Sequence, residues 1–250
     1  MMQVMKLVRE DVEATLIPLI KRAVPEYVQD ASWPDIIANA LRSLVARWTS
    51  PFAQRQAERI ADTFVKAAAS DNERKMSIDL YGGDTELQDY LKAAAFQNAQ
   101  LIKSLPARYL EQVQNIVVGN MRNGMRPSYI EQQLVKEFGV SQRRAKLIAR
   151  DQHSKIQGDM NRIRQTKSGL KYFRWLTSHD DRVRHAHRIA GDKMTKYGKG
   201  VYSWDDLPIV DGVPTFPGQP IQCRCVAVPV TEQQVERNKK AGKTDPAVRR

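Results

Sequence analysis

A chain of 250 residues, 42% hydrophobic and 27% charged, is long enough for one or two domains with a real core and too apolar for disorder throughout. Its formal net charge of +12 favours an anionic partner, nucleic acid above all, against the plainer reading of a basic protein that merely stays soluble. Two cysteines separated by one residue cannot form a disulfide framework, acidic residues interrupt the first apolar stretch, and no run reaches membrane-spanning length. The expectation is therefore a soluble protein made in a reducing compartment.

Apolar residues at Leu7/Val8, Val12, Leu16 and Leu19/Ile20 predict an amphipathic helix over residues 4–24, closed by Pro25. Ser32 and Pro34 start a second helix with a stripe through Ile36/Ile37, Leu41, Leu44/Val45 and Trp48. Ser50-Pro51 starts a third, running to about Ala69. Residues 71–84 are polar and contain Gly82-Gly83, which predicts a loop and a sub-boundary, with Ser77 to Tyr81 as a weak strand signal. Helices resume at Thr85, break at Ser104-Leu105-Pro106, and resume from Tyr109 to Met121, with Gly124 just past the end. Ser128 and Glu131 form a capping box for a short helix ending at Phe138-Gly139, and Ser141 caps a long basic helix that Gly169 ends.

At Leu170 the period changes, and an aromatic-rich run to Thr177 predicts a strand. Residues 180–191 fit a short helix capped by Ser178 or Asp180, residues 193–220 read as loop, and residues 221–230 as a last strand. The fold class is mainly α: an extended N-terminal helical region, 1–169, is followed by a small α+β C-terminal module, 170–230. Residues 231–250 form a basic tail, read as a frayed helix and then disorder.

Three constellations carry chemistry. His187, Cys223 and Cys225 are the ligand types of a structural zinc, with His179, Asp180, His185 or water as fourth ligand. Against it, an extended Cys-Arg-Cys would point its sulfurs to opposite faces, and the bland reading is two packed cysteines on a strand. Asp180, Arg182, Arg184 and His187 could pair a base with phosphate stabilisation in a nuclease, or form an Asp–Arg bridge at a helix start. Residues 127–152 mimic a helix-turn-helix whose turn is Gly139-Val140-Ser141. Arg143, Arg144, Lys146 and Arg150 would then meet phosphates, with Gln142 or Arg143 reaching base edges; the alternative is a helical hairpin with a solvated basic face.

Trp175, Thr177, Asp180, Arg182-Val183-Arg184, His187 and Gly191, followed by Pro217-Gly218 and Cys223-Arg224-Cys225, resemble the signature of the phage Mu F-like, or phage head morphogenesis (minor head protein), family. The resemblance covers residues 101–230. It implies a virion component at the portal vertex or head interior, made in the cytoplasm of a bacterial host. The implied partners are the portal protein, the major capsid protein, or both, with non-specific contact to phage double-stranded DNA. It implies no catalysis, membrane or small-molecule substrate, and the matched residues would hold the module together with or without a metal. His179 and His185 depart from the pattern and leave the ligand set open, and the short stretch after the signature sets the expectation that no toxin domain is fused.

Overall fold

The computed structural model describes residues 1–23, 33–76 and 84–245. Pro25, Ser32, the glycine pair at 82–83 and the weak strand at 77–81 lie outside them. The described residues contain seven α-helices and seven short strands, a mainly α architecture with a small strand-containing module towards the C-terminus. They divide into two compact units, one of Met1–Phe64 with Ala93–Ala149 and the other of Val65–Lys92 with Arg150–Arg250. Helical residues 65–76, 85–92 and 150–167 thus belong with the strand-containing part.

The first unit holds α1 (Met2–Ala23), α2 (Trp33–Thr49) and parts of α3 (Pro51–Met76), α4 (Thr85–Arg122) and α5 (Pro127–Lys167). Val8, Val12, Leu16 and Ile20 recur every four residues on α1 and are all buried, packing with Leu41, Leu44, Ile102, Val113 and Ile130 in one core. Each such side chain contributes about 1.5–3 kcal/mol. Asp11 ties α1 to α2, accepting from the Trp48 indole at 2.9 Å and pairing with Arg47. Ser50 caps α3 through the Ala53 N–H, and Asp84 caps α4 through the Leu87 N–H.

Two expected breaks are absent. α4 runs straight through Pro106. A proline inside a helix costs about 3 kcal/mol, but Ile102, Leu105, Tyr109 and Leu110 are buried on either side of it, and their combined burial stabilises the helix by more than that. α5 likewise continues through Gly139, so the helix-turn-helix turn at Gly139-Val140-Ser141 does not exist. Ile130, Leu134, Phe138 and Ala145 keep one buried stripe across that position, and Phe138 meets Tyr109 edge-on at 6.1 Å. Mid-helix glycine costs only about 1 kcal/mol, less than the burial of Phe138 contributes. Ser141 caps nothing; its hydroxyl donates to Glu137 one turn back.

In the second unit, β1 (Tyr172–Leu176) is the middle strand of an antiparallel sheet. It lies between β4 (Val201–Ser203) and β7 (Val226–Val230), with Phe173 opposite both Tyr202 and Pro229. Pro229 is tolerated because β7 is an edge strand. Strand alternation sends Phe173 and Trp175 to the buried face, where they join Trp204, Phe216, Cys223, Cys225 and Ala190 of α6 (His185–Asp192). The segment expected to be all loop also forms β2 (Met194–Thr195) paired with β3 (Gly198–Lys199), and β5 (Ile209–Val210) paired with β6 (Val213–Pro214).

The rest departs in detail. α6 starts at His185 rather than near residue 180, and its cap residue Arg184 makes no side-chain capping bond. The last strand begins at Val226, five residues later than expected. The described part of the tail contains the expected helix. α7 (Glu232–Lys240) opens with a full capping box between Thr231 and Gln234, and Val235 is buried against Val201 and Val230.

Candidate metal centre

His187 lies in the first turn of α6 and faces the core because the next inward position is Ala190. Cys223 and Cys225 come from the segment just before β7. That segment is not a strand: Gln222 takes φ 55°, and the chain turns so that both thiols are buried on the same side. The expectation that Cys-Arg-Cys would split its sulfurs between two faces is thereby overturned. His187 Nδ1 stands 3.4 Å from Cys225 Sγ and 3.6 Å from Cys223 Sγ, and the three donor atoms lie within 4.8 Å of one another. The imidazole is 2% exposed, its Nε2 has no hydrogen-bond partner among the described residues, and the Trp175 ring stands edge-on to it at 5.3 Å.

The surroundings favour a sulfur anion. The hydrogen bond from Cys225 holds the Cys223 thiol well below the usual thiol range; burial works against this, and His187 and the Gly218 N–H, 3.4 Å from the sulfur, reinforce it. Cys225 is correspondingly pushed up, first by the Cys223 sulfur and then by burial.

A second layer of contacts fixes the segment carrying the cysteines. The Asp180 carboxylate takes Arg224 at 2.7 Å and Arg182 at 3.6 Å, and also accepts from the Arg182 N–H. The Asp180–Arg184 helix bridge is therefore replaced by an Asp180–Arg224 bridge. Arg184 instead donates to the Ile221 carbonyl at 3.1 Å. Asp151 of α5 accepts the Gln222 N–H at 2.7 Å, and Asp159 accepts from Tyr90 at 2.9 Å and from Gln219. Pro217-Gly218 rests on the α5 backbone at Gly158. Here φ at Gly218 is 103°, and a Cβ would lie 2.8 Å from the Ser154 carbonyl oxygen. Sequence reasoning misses Asp151, Gly158 and Asp159; the one available signal is Gly158, a glycine inside an otherwise helical pattern.

A nuclease centred on His187 needs a general base that reaches its substrate, and the His187 side chain is 2% exposed. His179 and His185 are exposed and, with Asp180, stand outside the donor group. Arg143, Arg144, Lys146 and Arg150 lie along α5, and none has a carboxylate partner among the described residues. No described helix is long and apolar enough to cross a membrane.

Residues 111–228 match the model of the family described as Phage Mu protein F like protein. This segment is Mu F-like. The match contains every motif residue from Trp175 to Cys225 and begins inside α4, so the Mu F-like segment includes the part of α5 that supports the cysteine loop. An uncharacterized protein of Haemophilus influenzae (strain ATCC 51907 / DSM 11121 / KW20 / Rd) is 30% identical over 217 residues, covering 81% of this chain and 46% of that relative. The chain thus spans about half the length of the curated relative it matches. No solved structure matches.

Proposed function

We propose that the chain is a structural protein of phage head morphogenesis, placed at the portal vertex or in the head interior and bound there to the portal protein, the major capsid protein, or both. The Mu F-like match over residues 111–228 carries this reading. The matched motif residues work as packing, clamp and loop-anchoring groups rather than as an exposed reacting constellation: Trp175 fills the core, Asp180 holds Arg224, and Gly218 seats on α5. Detection by mass spectrometry in purified particles of the encoding phage is the expected result; absence from such particles sinks the proposal.

Contact with double-stranded DNA accompanies that role. The net charge of +12 and the four α5 cations that lack a carboxylate partner among the described residues support it. With α5 unbroken there is no turn to present a recognition helix, so the contact is with phosphates and indifferent to sequence. If all four cations meet phosphates, log K falls against log salt with a slope of about −3.6. Binding that prefers one DNA sequence would contradict it.

A further inference from the structure

We propose that His187, Cys223 and Cys225 bind one zinc ion through Nδ1 and both sulfurs, leaving the fourth position to water or a small anion. This concerns the interior of the second unit and stands independently of the head-assembly reading.

The distances between the donors fit a tetrahedral metal site. Zn–S bonds of about 2.3 Å and Zn–N bonds of about 2.0–2.1 Å at tetrahedral angles require an N–S edge of about 3.6 Å and an S–S edge of about 3.8 Å. The two N–S edges here are 3.4 and 3.6 Å, and all three donors lie within 4.8 Å of one another. Two packed thiols explain this poorly. Nδ1 has a single lone pair or a single proton, so it can make one good hydrogen bond, yet both sulfurs are held almost equally close to it. A cation between the three satisfies all of them at once.

The chemistry of the donors selects the ion. Two thiolates and an imidazole suit zinc and exclude magnesium and calcium, which take oxygen donors. Two thiolates, a neutral imidazole and a divalent ion sum to zero charge, an acceptable burden for a buried site. The Gly218 N–H to Cys223 supplies the outer contact that orients a thiolate ligand. The donors share a small recess with Arg182, Arg184 and Arg224, a basic lining that suits water or an anion in the fourth position. No protein donor among the described residues competes for that position, because Asp180 is held by Arg224 and His179 and His185 stand outside the group. The ion would staple α6 to the segment before β7, joining residues 36 and 38 positions apart.

The test uses the full chain purified without chelator, with metal measured by elemental analysis. About one zinc per chain is expected. Titration with an organomercurial should release that zinc in step with modification of the two thiols, read with a zinc-binding dye. Reconstitution with cobalt(II) should give thiolate-to-metal charge transfer in the near ultraviolet, and Cys225→Ser should lose the metal. The release experiment needs only the wild-type chain, so it decides the matter even if Cys225→Ser does not fold. Zinc far below one equivalent, zinc retained after both thiols are blocked, or a Cys223–Cys225 disulfide in protein prepared without oxygen would each overturn the proposal.

Discussion

Gly158 in the C-terminal part of α5 and Gly218 in the loop before the cysteines touch backbone to backbone. A Cβ on Gly158 would sit 2.7 Å from the Pro217 carbonyl oxygen and 3.0 Å from Gly218 Cα. Neither neighbour is the movable end of a side chain. Gly158→Ala is therefore expected to destabilise the protein by about 1–3 kcal/mol despite alanine's better helix propensity. Urea unfolding of the single variant checks it, and an unchanged or raised midpoint would contradict the contact.

Gly139 in the same helix predicts the opposite sign. An added Cβ there meets only the tip of the Arg143 side chain, at 3.6 Å. Gly139→Ala should raise stability by about 0.5–1 kcal/mol. If residues 139–141 formed a turn, the same change would be costly, so one thermal melt separates the two arrangements.

Thr231→Ala removes the cap of α7, losing the bond its hydroxyl accepts from the Gln234 N–H. The expected cost is about 0.5–2 kcal/mol. Hydrogen exchange should locate it: faster exchange in residues 232–240, with α1 and α2 unchanged.

Asp159 sets a pH dependence. Burial raises its pKa above the usual 3.8, and its bonds with Tyr90 and Gln219 and the nearby Arg162 and Lys155 offset only part of that. The folded carboxyl then keeps its proton to higher pH than the unfolded one. Its stabilising contribution is full below the unfolded value and is lost as pH rises through the raised folded value. The stability of wild type minus that of Asp159→Asn should fall with pH across that window and level off above it. A difference that rises with pH in that window would contradict this reading.

Much of the helical part is legible in the sequence because it is governed by period. Val8, Val12, Leu16 and Ile20 announce their face, and Ser50-Pro51 announces a start. The two false breaks share one cause. Pro106 and Gly139 are local breakers whose penalties of about 1–3 kcal/mol are exceeded by burial that only the folded neighbours reveal. The capping box at Thr231 is written in the sequence too, but the charge of the tail masks it. In the candidate metal centre, His187, Cys223 and Cys225 stand out by residue type. What brings them together does not, because it rests on the positive φ of Gln222 and on Asp151, a partner 71 positions away. Neither leaves a mark in local spacing.

The strand order β4-β1-β7 also carries a schedule. β1 leaves the ribosome first and is central, so both its edges are bare until later segments arrive. β4 covers one edge after residue 203. The other stays open until Val230 has been made, since Tyr172 pairs with that last residue of β7. Cys223 and Cys225 emerge just ahead of β7, after His187 of α6 has been made. Sheet closure and assembly of the donor set thus fall in one step of synthesis, and a nascent chain halted before residue 223 has neither.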